Sequence, residues 1–88
     1  MQNELLSNTN KLHTTPLGIE RIKRNLAIET NDVVEYLKTI IEDENTIIYK
    51  NGKNWYCEKI VDSKKIVITI NSYNYCIITT HIKKQNKR

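Results

Sequence analysis

The chain has 88 residues, the length of one domain with a small apolar core. Hydrophobic residues make up 39% and charged residues 27%, and no apolar run approaches the roughly 18 residues of a membrane span. The first residues lack the basic and apolar regions of a signal peptide, so we expect a single-domain cytoplasmic protein without a membrane anchor.

The net charge is +4, and many basic residues lie in two short stretches. One stretch is "RIKR" at 21–24, and the other follows His81 and ends in a predicted basic tail at 84–88. A clustered basic balance is typical of a protein with an anionic partner, most often nucleic acid. Ordinary solubility explains the same charge equally well.

Residues 1–11 read as an N-terminal arm or short helix, and residues 12–44 as a helical pair. The first helix follows "HTTP", where Thr14 or Thr15 can cap the N-terminus and Pro16 occupies the first turn. Its apolar face, spaced i, i+3, i+7, is formed by Ile19, Ile22 and Leu26.

The second helix begins near Thr30 or Asn31, either of which can cap it. Its core face consists of Val33, Leu37, Ile40 and Ile41. The helical pair resembles a helix-turn-helix in outline, but the second helix carries several acidic side chains against Lys38 alone. Phosphate repels such a helix, so we interpret the pair as a plain helical corner.

Residues 45–83 read as a β-meander of four strands. Asn51-Gly52 is a strong hairpin signal, "VDSKK" marks a second turn, and "NSYN" joins the last two strands. A sheet of this kind buries its apolar side under helices. The predicted fold class is therefore α+β, with two or three N-terminal helices packed on one face of a four-stranded antiparallel meander.

The register of the last hairpin follows from a turn centred on Tyr73. This turn pairs Ile70 with Cys76, Ile68 with Ile78, and Ile66 with Thr80. Since side chains alternate along a strand, these residues would face the helices. The opposite, solvent-facing side would carry the alternate positions: Val67, Thr69, Asn71, Tyr75, Ile77, Thr79 and His81.

Cys57 and Cys76 fall in predicted strands and fit no closely spaced pair, so we expect buried, reduced thiols. Two cysteines and two histidines scattered along the chain make a poor zinc site. Gly18 and Gly52 are too far apart for a glycine-rich phosphate loop. The sequence therefore predicts neither a metal nor a cofactor.

A metal-independent RNase needs a base for the 2′-hydroxyl, a cation for the phosphorane charge and a proton donor for the leaving oxygen. The predicted catalytic set is His13, Arg21, Thr79 and His81, with a histidine as acid or base. The predicted nucleic-acid contacts are Lys23, Arg24, Tyr75, Lys83 and Lys84. These residues also have a purely structural interpretation. His13 would be a residue at the start of a helix, and Tyr75, Thr79 and His81 would form the solvent-exposed face of a small sheet.

The stretches "HTTPLGIERIKRNLAI…DVVEYLK" and "GKNWYC…ITINSYNYCIITTHIKK" resemble an uncharacterised family of small bacterial proteins, a domain of unknown function, over residues 12–84. At the level of the fold, the chain is also similar to the barnase–EndoU–colicin–RelE group of RNases and toxins. That resemblance implies comparable places for His13, Arg21 and Thr79, with His81 two residues further on. Toxins of this kind are usually more strongly basic.

Two functions are therefore expected. The first is a small RNA-facing domain of RNase or toxin type. The alternative is a non-catalytic protein of a phage or mobile element that binds and inhibits a host or defence protein, as anti-CRISPR proteins do. In that case the open sheet face and an edge strand would form the contact surface. A homodimer through the sheet edge is a third possibility.

Overall fold

The fold is α+β, as predicted, with helices followed by an antiparallel sheet. The computed structural model describes residues 4–30 and 32–84. Asn31 and residues 85–88 of the predicted basic tail lie outside the described residues. In chain order the elements are a 3-10 helix Leu6–Lys11, α1 Pro16–Leu26, α2 Val33–Ile41, β1 Ile47–Asn51, β2 Asn54–Val61, β3 Lys64–Asn71 and β4 Ile77–Lys84.

Both α-helices begin at a side-chain cap. The Thr15 hydroxyl accepts a hydrogen bond from the backbone N–H of Gly18 at 3.0 Å, which confirms one of the two predicted caps. At α2 the cap is Asp32, whose carboxylate accepts from the N–H of Glu35 at 3.4 Å. The hydroxyl of Thr30, one of the predicted caps, instead accepts a hydrogen bond from the N–H of Asp32, just before the helix.

The strands form one sheet in the order β1-β2-β3-β4, with every neighbouring pair antiparallel. Gly52 takes a φ of 66° in the two-residue turn that closes Asn51 onto Asn54, so the predicted hairpin is confirmed. Asp62 and Ser63, both with positive φ, make an equally short turn between β2 and β3.

The core lies between the helices and one face of the sheet. Its fully buried members include Leu5, Leu37, Ile41, Cys57, Ile68 and Ile70. Helix α1 packs along β4, where Asn25 donates a hydrogen bond to the carbonyl of Thr80 at 2.8 Å. The side chain of Thr14 donates to the carbonyl of Ile77, so the same strand edge is bonded at two points.

The register of the last hairpin differs from the prediction. Ile68 faces Thr80, Ile66 faces Ile82, and a bulge next to Ile70 leaves Ile78 without a partner on β3. The reason is a longer turn, in which the N–H of Asn71 bonds to the carbonyl of Cys76 and Tyr75 takes a φ of 61°. The Asn71 side chain holds this turn by accepting from the N–H groups of Tyr73 and Asn74.

The changed register reverses several predicted orientations. Ile77 and Tyr75, expected outside, are buried, whereas Ile78, expected inside, is 51% exposed and Cys76 is half-buried. Thr80 is buried among the helices as predicted. Beyond the bulge, the side chains of β4 alternate between the two faces as predicted. Thr79 and His81 therefore lie on the face opposite Thr80.

Candidate functional site

The sheet face turned away from the helices, here called the open face, is organised in four rows that run across the strands. The pairing registers place its residues in the rows Lys83, Lys65, Ile60; His81, Val67, Glu58, Ile47; Thr79, Thr69, Tyr56, Tyr49; and Asn71, Asn54, Asn51. Val67 and Thr69, short side chains at the centre, are buried. The longer side chains around them form the accessible surface.

The open face has two chemically different halves. The β1–β2 half is aromatic and aliphatic, and its exposed residues include Ile47, Tyr49 and Ile60. The rings of Tyr49 and Tyr56 stack there with centroids 5.4 Å apart and an interplanar angle of 19°. The β3–β4 half is basic and hydroxylic, with two lysines, a histidine and two threonines in the rows given above.

Glu58 joins the two halves. The hydroxyl of Tyr49 donates a hydrogen bond to its carboxylate at 2.6 Å, and the ammonium of Lys65 lies 3.3 Å from the other carboxylate oxygen. The Tyr49 hydroxyl, followed by Lys65 and by the charge of Lys83, lowers the pKa of Glu58. The same hydrogen bond raises the pKa of Tyr49. Glu58 is therefore an anion at neutral pH.

A shallow depression of about 270 Å³ lies beside this carboxylate. It is lined by Asn45, Ile47, Glu58, Ile60 and Lys65. Ile47 and Ile60 are 62% and 60% exposed, which leaves two apolar walls facing solvent. The depression therefore combines apolar walls with one anion and one cation.

Three of the predicted site residues meet on β4. Thr79 and Lys83 are exposed and His81 is half-buried, all on the open face. Lys84 pairs with Lys64 at the end of the same strand. The structure thus brings a hydroxyl, an imidazole and an ammonium together in alternate positions of one strand.

Arg21 is an exposed residue of α1, the helix that packs along β4. Asn25, one helical turn further along α1, bonds to Thr80, and Thr14, before the helix, bonds to Ile77. These two bonds hold the segment that contains Arg21 against β4. On the same helix Arg24 is exposed and Lys23 is half-buried.

His13 occupies the opposite end of β4. Its N–H bonds to the carbonyl of Tyr75 and its carbonyl accepts from the N–H of Ile77, so that it bridges to Cys76. Its ring Nδ1 lies 2.9 Å from the carbonyl of Lys11. His81 is five residues beyond Cys76, roughly 16 Å at about 3.3 Å per residue of extended chain. The backbones of His13 and His81 are therefore well separated along β4.

The predicted outward orientation of Tyr75 is wrong. Tyr75 is 8% exposed and belongs to the core cluster, with the ammonium of Lys11 at 5.7 Å from the ring centroid. A buried ring has no free face on which a base can stack. The tyrosines of the open face are Tyr49, which is exposed, and Tyr56, which is half-buried. The predicted site does not include them, although their equal distance from the Gly52-Lys53 turn places them opposite each other.

The two cysteines are free thiols in different surroundings. Cys57 is fully buried, and burial raises its pKa to about 12. Cys76 is half-buried and lies just before the last strand, so the prediction of two buried thiols holds for Cys57 alone. Within residues 4–30 and 32–84, no three histidine, cysteine or acidic side chains gather as metal ligands would.

No helix in the described part of the chain has the length and apolarity needed to cross a bilayer. No curated protein and no solved structure matches the chain. Residues 6–81 match a family described as proteins of unknown function, DUF3781. The match spans most of the sequence, and the chain therefore belongs to the DUF3781 family.

Proposed function

We propose that this protein binds single-stranded RNA on its open face. The observation that carries the proposal is the division of that face into an aromatic half over β1–β2 and a basic half over β3–β4. A single strand offers bases on one side and phosphates on the other. The two halves match these two chemistries when the nucleotide chain runs along the strands.

The aromatic half supplies a stacking platform. The stacked pair of Tyr49 and Tyr56 leaves Tyr49 41% exposed, and base–aromatic stacking tolerates any base because every base has a π-face. Neighbouring rows are two residues apart, about 6.6 Å at ~3.3 Å per residue, which one extended nucleotide can span. Consecutive bases can therefore follow consecutive rows.

The basic half supplies contacts to phosphates. Lys65 and Lys83 face each other across β3 and β4, with His81 in the next row and Thr79 in the row after it. Among the residues of the four rows Glu58 alone is acidic, and its charge is partly balanced by Lys65 at 3.3 Å. The net charge of +4 adds a general attraction for polyanions.

Removal of a stacking ring tests this proposal. Tyr56→Ala should weaken binding of a fluorescein-labelled oligouridine about tenfold, because stacking contributes about 1–3 kcal/mol per base. Fluorescence anisotropy at several salt concentrations gives the dissociation constants and the salt slope. Tyr73→Ala is the matched control, since Tyr73 is 74% exposed but lies in the β3–β4 turn. Equal affinities for both variants and the wild type, or no binding even at low salt, would refute RNA binding at this face.

We extend the proposal to a metal-independent RNase that uses residues of β4 and α1. His81 is then the general base for the 2′-hydroxyl, Thr79 positions the phosphate, Arg21 of α1 neutralises the developing charge, and water protonates the leaving 5′-oxygen. The observation in its favour is that Thr79 and His81 occupy alternate positions of β4 on the open face, while α1, which carries Arg21, packs along the same strand.

Cleavage is measured with end-labelled RNA in the presence of a chelator. His81→Ala should reduce the rate at least tenfold with an unchanged circular dichroism spectrum, whereas His13→Ala, at the far end of β4, should not. A larger loss from His13→Ala contradicts the role given to His81. If the pure protein cleaves no RNA at any salt concentration, the function is binding alone.

One feature favours the alternative, a protein partner. The outer edge of β1 pairs with no other strand of the sheet among the described residues, and Ile47 on this strand is 62% exposed. An extended segment of another protein, or β1 of a second copy, could add to such an edge. A stoichiometric protein that co-elutes from lysate with the wild type but not with Ile47→Glu, in the absence of RNA, would favour this alternative.

A further inference from the structure

We propose that the depression beside Glu58 is a base-selective subsite that takes guanine. This inference rests on the proposed function and adds a preference to it. It starts from the arrangement of Glu58, Lys65, Ile47 and Ile60 around one depression of about 270 Å³ on the open face.

The carboxylate of Glu58 has unused acceptor capacity. An ionised carboxylate only accepts hydrogen bonds, and offers about four lone-pair sites. The Tyr49 hydroxyl occupies one site at 2.6 Å, and the Lys65 ammonium another at 3.3 Å. About two acceptor sites therefore remain, next to an ammonium with N–H groups to spare.

This pattern fits the Watson–Crick edge of guanine. Guanine carries two adjacent donors, N1–H and the N2 amino group, followed by the O6 acceptor. The two donors can bond to the Glu58 carboxylate while Lys65 donates to O6. Adenine and cytosine offer one amino donor and uracil one imide N–H, so each leaves part of the charged pair without a partner.

The apolar walls suit a flat ring. Both Ile47 and Ile60 line the depression. Ile47 lies in the same row as Glu58, and Ile60 lies in the next row. A base that covers these exposed side chains removes apolar surface from water. Small binding sites commonly combine such apolar lining with a few polar groups that fix orientation.

The subsite is continuous with the stacking platform. Tyr49 bonds directly to Glu58, and the Tyr49 row lies next to the Glu58 row on the sheet. A guanine in the depression therefore places a neighbouring nucleotide over the Tyr49–Tyr56 pair. The geometry predicts recognition of one guanine beside an unselected base.

The test uses labelled hexauridine and the same oligonucleotide with one central guanosine, adenosine or cytidine. The wild-type protein should bind the guanosine oligonucleotide roughly tenfold more tightly than the other three. Glu58→Gln should abolish this preference, because its amide replaces one acceptor oxygen with a donor. The matched control is Glu20→Gln, which removes the same charge from the exposed surface of α1 and should leave the preference unchanged.

The outcomes separate this inference from the proposed function. If no oligonucleotide binds at low salt, the proposed function fails and the subsite with it. If all four bind equally, or if a preference survives Glu58→Gln, the subsite is overturned while RNA binding stands. A guanosine preference that disappears in Glu58→Gln and persists in Glu20→Gln supports the subsite.

A second measurement needs no variant. In two-dimensional NMR spectra of the wild type, guanosine monophosphate should shift the amide signals of Ile47, Glu58, Ile60 and Lys65 more than adenosine monophosphate does. Equal shifts with both nucleotides, or shifts confined to other residues, overturn the subsite even if the Glu58→Gln variant does not fold.

Discussion

Thr80 places an unpaired hydroxyl group in the core. It is fully buried between β4 and the helices, and its hydroxyl oxygen has no hydrogen-bond partner among the described residues. Its carbonyl, in contrast, accepts from the side chain of Asn25. A buried hydroxyl without a partner lowers the free energy of unfolding by about 1–3 kcal/mol. At Thr80 this cost comes from the side chain, because the backbone carbonyl is hydrogen-bonded.

Replacement of this hydroxyl should stabilise the protein. Thr80→Val keeps the β-branched shape, removes the unsatisfied group, and should raise the free energy of unfolding by about 1 kcal/mol. Urea denaturation followed by circular dichroism measures the change. Thr79→Val, one residue earlier and exposed on the open face, should have little effect. A loss of stability in Thr80→Val would mean that the hydroxyl is bonded in solution.

At the scale of elements, features set by a single local signal were predictable, whereas features set by several contacts acting together were not. Thr15 caps α1 and Gly52 turns the first hairpin because each acts on backbone groups within three residues. The β3–β4 turn depends on several side-chain bonds at once and on Tyr75 in a left-handed conformation that aromatic residues rarely adopt. The resulting bulge moved Ile77 inward and Ile78 outward.

The candidate site shows the same limit. Thr79 and His81 were predictable because strand alternation alone places them. Tyr49 and Tyr56 were within reach of the same reasoning applied to the first hairpin. The Glu58 network was not, because it joins side chains of three strands, and the bridge of His13 to Cys76 connects residues 63 positions apart in the sequence.

At the scale of the whole molecule, Cys57 couples global stability to pH because it lies in the core between sheet and helices. Its pKa is about 12 in the folded protein against an ordinary value of 9.0, and burial is the cause. In the unfolded chain the thiol loses its proton as pH rises above about 9, while the folded protein keeps it. The unfolded state is therefore favoured progressively between about pH 9 and 12.

This coupling predicts a loss of stability in alkali that one substitution reduces. At pH 10.5, about 1.5 pH units above the ordinary thiol pKa, the wild type should have lost roughly 2 kcal/mol relative to pH 8 through this group. Cys57→Ala should start less stable at pH 8, because it leaves a small cavity, but should lose less between the two pH values. Urea unfolding with a reducing agent measures both differences. Cys76→Ala, at a half-buried position, should follow the wild type, and parallel losses in all three proteins would show that the buried thiol is not the cause.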